Sequence, residues 1–520
     1  MGEALEYVDL GTNRTAVSIT AGDSHTCAVL DDATLKCWGY GNYGQLGQGT
    51  IYSYGNAVFT MGDYLDPVAL GNGTAGEPRK AVKAAAGVDY TCVLSEENEV
   101  VCFGHNDMGQ LGVEHAKDVG KYTYDMGDAL VPVDFGSGSG YAVDISSGPC
   151  ALLSDGTVKC WGANLYGATG IPGAIDVGLA AGDMGAFLPP VSLGSDGNNT
   201  ELLVSSVASG TFHNCAILED GLVKCWGKNT KGNLGIGDVH DRGIDEDELG
   251  DFLPYTDLGL EAYRLDGGAD HTCAILVDFT VKCWGNNYLG ALGLEDFRTR
   301  GDYPGEMGDS LPPVNLGAGR TAVEISAGGN FACAILDDGG VKCWGEGNAG
   351  KLGQGNSQDL GDETLEMADM SAIDLGPGVY AAAPILSTRP PTPSPTPSPT
   401  TAPTPIPTLA PTPGPTLVAT PVPIANTPSP TAAAGMPSPR SNPEGGSTDG
   451  PATPDGSTSA PVAPAVVSGG TSSSTSFSEL PRWQVVTGAI LIPIAAVGLV
   501  VGAVTIHKKR KENMAAQSSA

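Results

Sequence analysis

The stretch that decides the fold is His271–Gly293, which reads HTCAILVDFTVKCWGNNYLGALG. Two β-rich runs flank a short polar turn centred on Asp278, and each run holds one cysteine. Folding the chain at Asp278 places Cys273 opposite Cys283, at the Cα separation of about 4.5–5.5 Å that is typical of cross-strand neighbours. A disulfide spans roughly 4.4–6.8 Å between Cα atoms, so we expect this pair to bridge within its own hairpin.

The same hairpin recurs six times and uses every cysteine of the chain. In each copy the second cysteine follows the first by ten residues, and the pairs are Cys27 and Cys37, Cys92 and Cys102, Cys150 and Cys160, Cys215 and Cys225, Cys273 and Cys283, Cys333 and Cys343. Cysteines that only packed as small buried side chains in a reducing cell would not need a partner in every copy. The pattern therefore favours six disulfides and an oxidising compartment, each bridge stabilising the fold by about 2–3 kcal/mol.

The composition divides the 520 residues into four parts. Residues 1–386 hold all the cysteines and most of the glycine and charge. Residues 387–480 are rich in Pro, Thr and Ser, which predicts a disordered, extended stalk. Residues 484–506 contain no charge and are long enough for a transmembrane helix, and residues 507–520 form a short basic tail.

The membrane segment and its flanks predict a topology. The basic run from His507 to Lys511 follows the apolar segment, so the positive-inside rule places the C-terminus in the cytosol and residues 1–386 outside the cell, as a single-pass type I protein of the plasma membrane. Such a protein needs a signal peptide, but residues 1–10 (MGEALEYVDL) carry neither a basic nor an apolar segment, which favours an N-terminally truncated sequence. Gly498 and Gly502 form a GxxxG pair that could support a helix-mediated dimer.

The chain is strongly acidic, with 59 Asp and Glu against 26 Lys and Arg and a net charge of −33. Only five of the acidic residues follow residue 386, so the charge belongs to the cysteine-containing part. Such a surface repels nucleic acid and anionic lipid, which excludes a nucleic-acid partner. A well-solvated surface and a specific basic ligand are both compatible with it.

The spacing of the copies predicts an all-β propeller. Successive first cysteines lie 58 to 65 residues apart, a period that suits a four-stranded blade. In the fifth copy the expected strands are Ala262–Leu265, Thr272–Leu276, Thr280–Gly285 and Leu311–Leu316. Six such blades can be recognised.

Ala21–Gly49, which reads AGDSHTCAVLDDATLKCWGYGNYGQLGQG, resembles the repeat of the regulator of chromosome condensation (RCC1) β-propellers. The matching features are a small-small-Gly entry, a His before the apolar strand, the WG pair and the G-x-L-G turn. The resemblance covers residues 1–386 and implies an RCC1-like β-propeller, seven-bladed in the best-known members. It does not by itself imply guanine-nucleotide exchange.

The family His is present in only half of the copies. It stands at His25, His213 and His271, is replaced by Tyr90 and Phe331, and is missing from the third copy. A catalytic histidine would not be lost from half of the repeats. We therefore interpret it as a structural ring that caps the turn between the first and second strands.

The blade count has two solutions. Glu6–Leu10 resembles a fourth strand and Gly378–Ile385 resembles a first strand, but neither has its own cysteine hairpin. The two segments could close a six-bladed ring, since propellers pair strands from both termini to remove free sheet edges. Alternatively they belong to an incomplete seventh blade whose hairpin lies upstream of Met1.

A recurring Gly-Asp precedes four of the fourth strands and gives the only weak metal candidates. The aspartates are Asp63, Asp128, Asp251 and Asp309. A ring of carboxylates would suit Ca²⁺, but no copy has the alternating Asp pattern of a calcium loop. Solvated turn aspartates are the favoured interpretation, and no metal or cofactor is expected.

Three glycosylation sequons start at Asn13, Asn72 and Asn198. All follow a fourth strand and precede a first strand, so they are expected on one rim of the propeller, opposite the turns of the cysteine hairpins. This placement predicts a secreted glycoprotein.

No nucleophile–base pair, metal cluster or phosphate loop stands out, so the chain is not expected to be an enzyme. We interpret it as a cell-surface display protein that presents a disulfide-stapled propeller to an unknown extracellular protein or glycan. The alternatives are an RCC1-type regulator of a small GTPase, acting by guanine-nucleotide exchange, and a propeller-type protein inhibitor.

Overall fold

The computed structural model describes residues 5–376 and Ala381. The predictions for the stalk, the apolar segment 484–506, the basic tail and the glycine pair Gly498 and Gly502 fall outside these residues. Over the described part of the chain, no helix is long and apolar enough to cross a membrane.

Each of the six repeats forms an antiparallel sheet of three or four strands in which consecutive strands are neighbours, and the third repeat adds a separate two-stranded sheet. The strands of the first three repeats are β1 Ala16–Ala21, β2 His25–Leu30, β3 Leu35–Gly39, β4 Ala81–Ala86, β5 Tyr90–Ser95, β6 Val100–Gly104, β7 Ala142–Ile145, β8 Cys150–Leu153, β9 Val158–Cys160 and the short ribbon β10 Gly162–Ala163 with β11 Asp176–Val177. Those of the last three are β12 Val204–Ser209, β13 His213–Leu218, β14 Val223–Gly227, β15 Tyr255–Thr256, β16 Ala262–Gly267, β17 His271–Leu276, β18 Val281–Gly285, β19 Ala322–Ala327, β20 Phe331–Leu336 and β21 Val341–Gly345.

Within residues 5–376, helical structure is limited to single turns in the loops. One α-helical turn spans Glu366–Asp369. The 3-10 turns are Gly62–Tyr64, Thr123–Asp125, Gly127–Ala129, Leu165–Gly167, Gly185–Phe187, Glu246–Glu248, Gly250–Phe252, Tyr288–Gly290, Gly308–Ser310 and Asn348–Gly350. The all-β class predicted from the repeat is therefore the observed one.

The cysteine hairpin has the predicted register. Cys273 lies opposite Cys283 and Ile275 opposite Val281. All six pairs are disulfides, with Cα–Cα distances of 4.0–4.1 Å. These distances are shorter than the expected range because each cysteine pair is a non-hydrogen-bonded pair; the ladder bonds fall at alternate positions, as from Leu276 N to Thr280 O.

In most repeats the segment predicted as the fourth strand runs beside the third strand, but it does not form a further strand of the sheet. In the part of the chain that the structure describes, only the fourth repeat has a four-stranded sheet, which β15 completes. In the fifth repeat a single backbone bond, from Val314 N to Val281 O at 2.8 Å, attaches the segment to the third strand. In four of the other repeats the position of Tyr255 is a proline, which has no N–H to donate: Pro67, Pro132, Pro190 and Pro313. The sixth repeat has Ala372 there and is attached by the same single bond, from Ile373 N to Val341 O at 2.7 Å.

Successive sheets pack face to face, and the hydrophobic cores lie between them. The second strands are buried along their whole length, because a neighbouring sheet covers each face. The aromatic residue of the third strand is fully buried in five repeats, at Phe103, Trp161, Trp226, Trp284 and Trp344. Each of these four indoles donates to a backbone carbonyl in the turn of the preceding repeat, as Trp344 Nε1 does to Ala291 O at 3.1 Å.

The antiparallel order gives each sheet two ends, and therefore the propeller two faces. The hairpin face carries the turns between second and third strands, and the cavity face carries the turns between first and second strands. The sequon-bearing connections lie on the hairpin face: Arg14, beside Asn13, pairs with Asp32 of the first hairpin turn at 2.7 Å. The expectation that the sequons oppose the hairpin turns is wrong, because the chain crosses the sheet twice between these points and returns to the same end.

Candidate functional site

A cavity of about 830 Å³ opens at the cavity face, where the turns between first and second strands of all six repeats come together. Its wall takes residues from 21–24, 86–90, 147–150, 209–214, 267–269 and 327–331. The turns that follow the third strands add residues such as His105, Trp161 and Lys351. Because every repeat contributes, the cavity marks the centre of the repeat array.

Buried histidines support the wall of this cavity. The His213 ring packs against Gly210 of its own turn, and its Nε2 lies 2.8 Å from Thr272 Oγ1 of the next repeat. His25 makes the same contact with Thr91 at 2.9 Å. Burial lowers the pKa of His25, His213 and His271 to about 4, so the rings are neutral at physiological pH. Tyr90 and Phe331 pack against the equivalent glycines, which agrees with a structural capping role.

The cavity wall has an excess of negative charge. Burial raises the pKa of Asp23, and the nearby Asp89 carboxylate raises it further. Burial also raises the pKa of Asp89. The one lysine that lines the cavity among the described residues, Lys351, is paired with Glu346 at 2.8 Å. The free charge that faces the cavity is thus carboxylate, which suits a cationic group.

The first strands carry a second set of charged groups that sequence reasoning missed. Lys83 pairs with Asp144 at 2.5 Å, and Arg264 pairs with Glu324 at 3.2 Å, each between adjacent repeats. Burial raises the pKa of Glu324 to about 7 despite the Arg264 guanidinium. Burial raises the pKa of Asp266, two residues after Arg264, to about 6.

A signal for these groups was present in the sequence. The third residue of every first strand is polar, and in five of the six both of its neighbours are less polar; Ser206, which follows Ser205, is the exception. The six residues are Ser18, Lys83, Asp144, Ser206, Arg264 and Glu324. A β-bulge follows the first residue of each of these strands and sets which side chains face the neighbouring repeat.

The four Gly-Asp aspartates do not converge. Each instead lies against the connection that leads into the first strand of its repeat, and three of these four connections carry a sequon: Asp63 accepts from Thr12 N at 2.7 Å and Asp128 from Asn72 N at 2.8 Å. Asp251 accepts from the backbone of Ser195, and Asp309 lies beside Gly259. Within residues 5–376 no group of three His, Cys, Asp or Glu side chains could hold a metal ion. These residues act as staples between repeats.

Sequence reasoning also missed a buried lysine that links adjacent repeats. Lys282 Nζ donates to Leu258 O at 2.9 Å and Gly308 O at 2.8 Å, and so joins the fourth repeat to the fifth. Lys224 makes the equivalent pair of bonds. The signal was the repeated VKCWG, in which the lysine precedes the cysteine.

The sequon asparagines Asn13, Asn72 and Asn198 are all exposed. They occupy equivalent connections on the hairpin face. No sequon among the described residues therefore lies beside the cavity.

The chain resembles known proteins along the same repeats. The regulator of chromosome condensation (RCC1) repeat is matched at residues 16–45, 81–110, 204–233 and 322–351, and a second form of the repeat at residues 35–94. The Arabidopsis thaliana ultraviolet-B receptor UVR8 is 27% identical over 354 residues, which are 66% of this chain and 68% of the receptor. The Xenopus laevis serine/threonine-protein kinase Nek9 is 26% identical, but the match covers 65% of this chain and only 33% of the kinase.

One solved structure has the same fold. The crystal structure of human WBSCR16 matches with a TM-score of 0.51 and 18% identity, over 68% of this chain and 82% of that protein. The repeats, their antiparallel sheets and these likenesses agree: the chain carries RCC1 repeats and has an RCC1-like β-propeller fold.

Proposed function

We propose that residues 1–386 form an extracellular protein-binding propeller, displayed at the cell surface by the apolar segment 484–506, and that its cavity face holds the partner. The observation that carries the proposal is the separation of two features. The exposed sequon asparagines lie on the hairpin face, and the cavity of about 830 Å³ opens on the opposite face. Glycans on the first face would leave the second free for a partner.

The cysteines support an oxidising environment. All twelve are paired, and no free cysteine is found among the residues that the structure describes. Disulfides are rare in cytosolic proteins, where thiols are kept reduced. The paired cysteines therefore favour a position outside the cytosol for residues 1–386.

The charge of the cavity supports a basic partner. Asp23 and Asp89 present carboxylates at its wall, and their raised pKa values reflect a partly desolvated site in which an incoming ammonium or guanidinium group would be favoured. A net charge of −33 would steer a basic protein toward the propeller. The partner is thus expected to insert a lysine- or arginine-bearing loop into the cavity.

The location is tested on intact cells that express the full chain. A membrane-impermeant biotin reagent should label the propeller, and removal of N-glycans should shift its mass by three sites. Peptide mapping should find each cysteine pair linked before reduction. Free cysteines in an unlabelled propeller would overturn the proposal, and a small-GTPase nucleotide-exchange assay would then take priority.

The binding face is tested separately with an oligo-arginine peptide as a probe for cationic side chains. The full chain should bind the peptide at low salt, and the double variant Asp23→Asn, Asp89→Asn should weaken binding at least tenfold. The double variant Asp220→Asn, Asp278→Asn in two turns of the hairpin face is the matched control, since it also removes two carboxylates. Equal losses in both variants would show that only the net charge matters and would refute a cavity site.

A further inference from the structure

Two aspartates at the cavity face occupy the same position in different repeats. The backbone carbonyl of Asp89, in the second repeat, accepts from His105 N at 2.9 Å, and that of Asp270, in the fifth repeat, accepts from Asn286 N at 2.8 Å. In both cases the donor is the first residue after the third strand. The two turns therefore share one backbone arrangement, and differences between the two carboxylates come from the side chains around them.

At Asp270 the chain itself supplies an ammonium group. Lys228 Nζ, from the fourth repeat, lies 2.8 Å from Asp270 Oδ1, and Asn233 Nδ2 donates to the same oxygen at 3.3 Å. The rings of Tyr166 and Phe212 lie 5.7 and 5.8 Å from this ammonium, within the range of cation–π attraction. Burial alone would raise the pKa of Asp270, but the Lys228 ammonium outweighs burial and holds that pKa below its usual value.

At Asp89 this ammonium group is missing. The residue of the first repeat that is equivalent to Lys228 is Tyr40, since each is the first residue after its third strand. Tyr40 brings an aromatic ring but no charge to this position. Burial accordingly raises the pKa of Asp89, which is the opposite direction to the shift at Asp270.

The oxygens of Asp89 decide which cation the carboxylate prefers. Gln45 Nε2 donates to Asp89 Oδ1 at 3.1 Å, and Asp89 Oδ2 has no hydrogen-bond donor among the described residues. A guanidinium pairs best through two parallel bonds to both oxygens, one of which Gln45 already uses. An ammonium is a compact charge that one oxygen can hold, as Asp270 Oδ1 holds the Lys228 ammonium.

We propose that Asp89 is a subsite for the ammonium group of a lysine on the partner protein, and that Lys228 at Asp270 shows how this lysine is held. The proposal rests on the basic partner inferred above and names the side chain that enters the cavity. Asp89 and Asp23 both line the cavity of about 830 Å³, so an incoming lysine can reach them. The Asp23 carboxylate is close enough to interact with Asp89 and adds a second attractive charge.

The lysines of this chain do not provide the ammonium. Among residues 5–376, no lysine forms an ion pair with Asp89, whereas Lys228 pairs with Asp270. The remaining lysines of the sequence are Lys508, Lys509 and Lys511. In the proposed topology these three lie on the cytosolic side of the apolar segment, and the cavity lies outside the cell. The ammonium therefore comes from another molecule.

The preference is tested with the full chain and two peptides of equal length, oligo-lysine and oligo-arginine, both acetylated at the N-terminus. Oligo-lysine should bind about tenfold more tightly, whereas a merely acidic surface would bind oligo-arginine at least as well. Tyr40→Lys should abolish the preference, because it gives Asp89 the ammonium that Asp270 already has. Retained binding of oligo-arginine shows that this variant is folded.

Asn286→Lys is the matched control for Tyr40→Lys. It places the same charge at the equivalent position of the fifth repeat, where the next repeat has Asn330 in place of an aspartate. The preference for oligo-lysine should survive in this variant. No preference in the parent chain, or equal losses in the two lysine variants, would overturn the ammonium subsite and leave the basic partner in place. Failure of both peptides to bind the parent chain would remove the basic partner as well.

The reverse substitution should create a second subsite. Lys228→Tyr gives Asp270 the surroundings of Asp89 and should increase the preference for oligo-lysine by about threefold. Lys231→Tyr is its control, because it removes the same charge from an exposed position of the same turn. An unchanged preference in Lys228→Tyr, or the same increase in both variants, would show that a free carboxylate at this position does not select lysine.

Discussion

The buried indoles between repeats allow one matched prediction. Trp344→Phe removes an N–H that donates to Ala291 O at 3.1 Å inside a core, whereas Trp38→Phe changes the same residue type at a half-buried position with no hydrogen-bond partner among the described residues. We expect the first change to destabilise the propeller strongly and the second to have little effect.

The magnitude follows from two contributions at Trp344. Leaving the buried Ala291 carbonyl without a donor costs about 1–3 kcal/mol. Replacing indole by the smaller phenyl ring leaves unfilled volume between the fifth and sixth repeats, for about 1 kcal/mol more. Trp344→Phe should therefore lower the free energy of unfolding by about 2–4 kcal/mol, and Trp38→Phe by less than about 1 kcal/mol.

Pulse proteolysis of the full chain across a urea gradient measures this difference, because it reports the loss of the propeller band without requiring a two-state spectroscopic signal. The urea midpoint of Trp344→Phe should fall clearly below that of the parent chain. Equal midpoints for the two variants would refute the reasoning that the indoles bind successive repeats together. An equally large loss for Trp38→Phe would show that this ring is buried after all.

Three further outcomes are expected in the same assay. Lys282→Met leaves two backbone carbonyls of adjoining repeats without their donor and should cost about 2 kcal/mol, and no shift in midpoint would show that the lysine is dispensable. His271→Gln should reduce the loss of stability that the parent chain shows between pH 6.5 and 4. The His271 ring has a pKa of about 4 when folded and about 6.5 when unfolded, so protons favour the unfolded chain by up to roughly 3 kcal/mol. An unchanged dependence of the urea midpoint on pH would contradict this. Replacing Cys273 and Cys283 together by alanine should lower stability by about 2–3 kcal/mol in air and by nothing under reducing conditions.

Local sequence patterns predicted the parts of the fold that depend on neighbours along the chain. The ten-residue spacing from Cys273 to Cys283 fixed the hairpin register, and the period near sixty residues fixed the repeat. The number of strands per sheet was less accessible. A proline in place of Tyr255 removes a backbone donor in four repeats, but the sixth repeat, with Ala372 at that position, also has three strands.

Contacts between repeats were largely beyond sequence reasoning. The ion pair of Arg264 with Glu324 joins residues sixty positions apart, and neither strand alone shows that the two side chains meet. The cavity with Asp23 and Asp89 likewise forms only when six turns are brought to one place. The side of the sequons could have been deduced by counting strand crossings, and that count places Asn13 beside the hairpin turns.

The buried histidines and the buried acids have opposite consequences when the medium is acidified. Below pH 6.5 protons bind His25, His213 and His271 in the unfolded chain, whereas in the fold these rings stay neutral down to about pH 4. Acid therefore favours unfolding through these three residues. Between about pH 7 and 4 the folded chain holds protons on Glu324 and Asp266 that the unfolded chain releases, because these two carboxyls have pKa values of about 7 and 6 in the fold. The two carboxyls thus offset part of the stability that the three histidines remove, so transfer from a neutral medium to a mildly acidic vesicle should cost the propeller less stability than the histidines alone would cause.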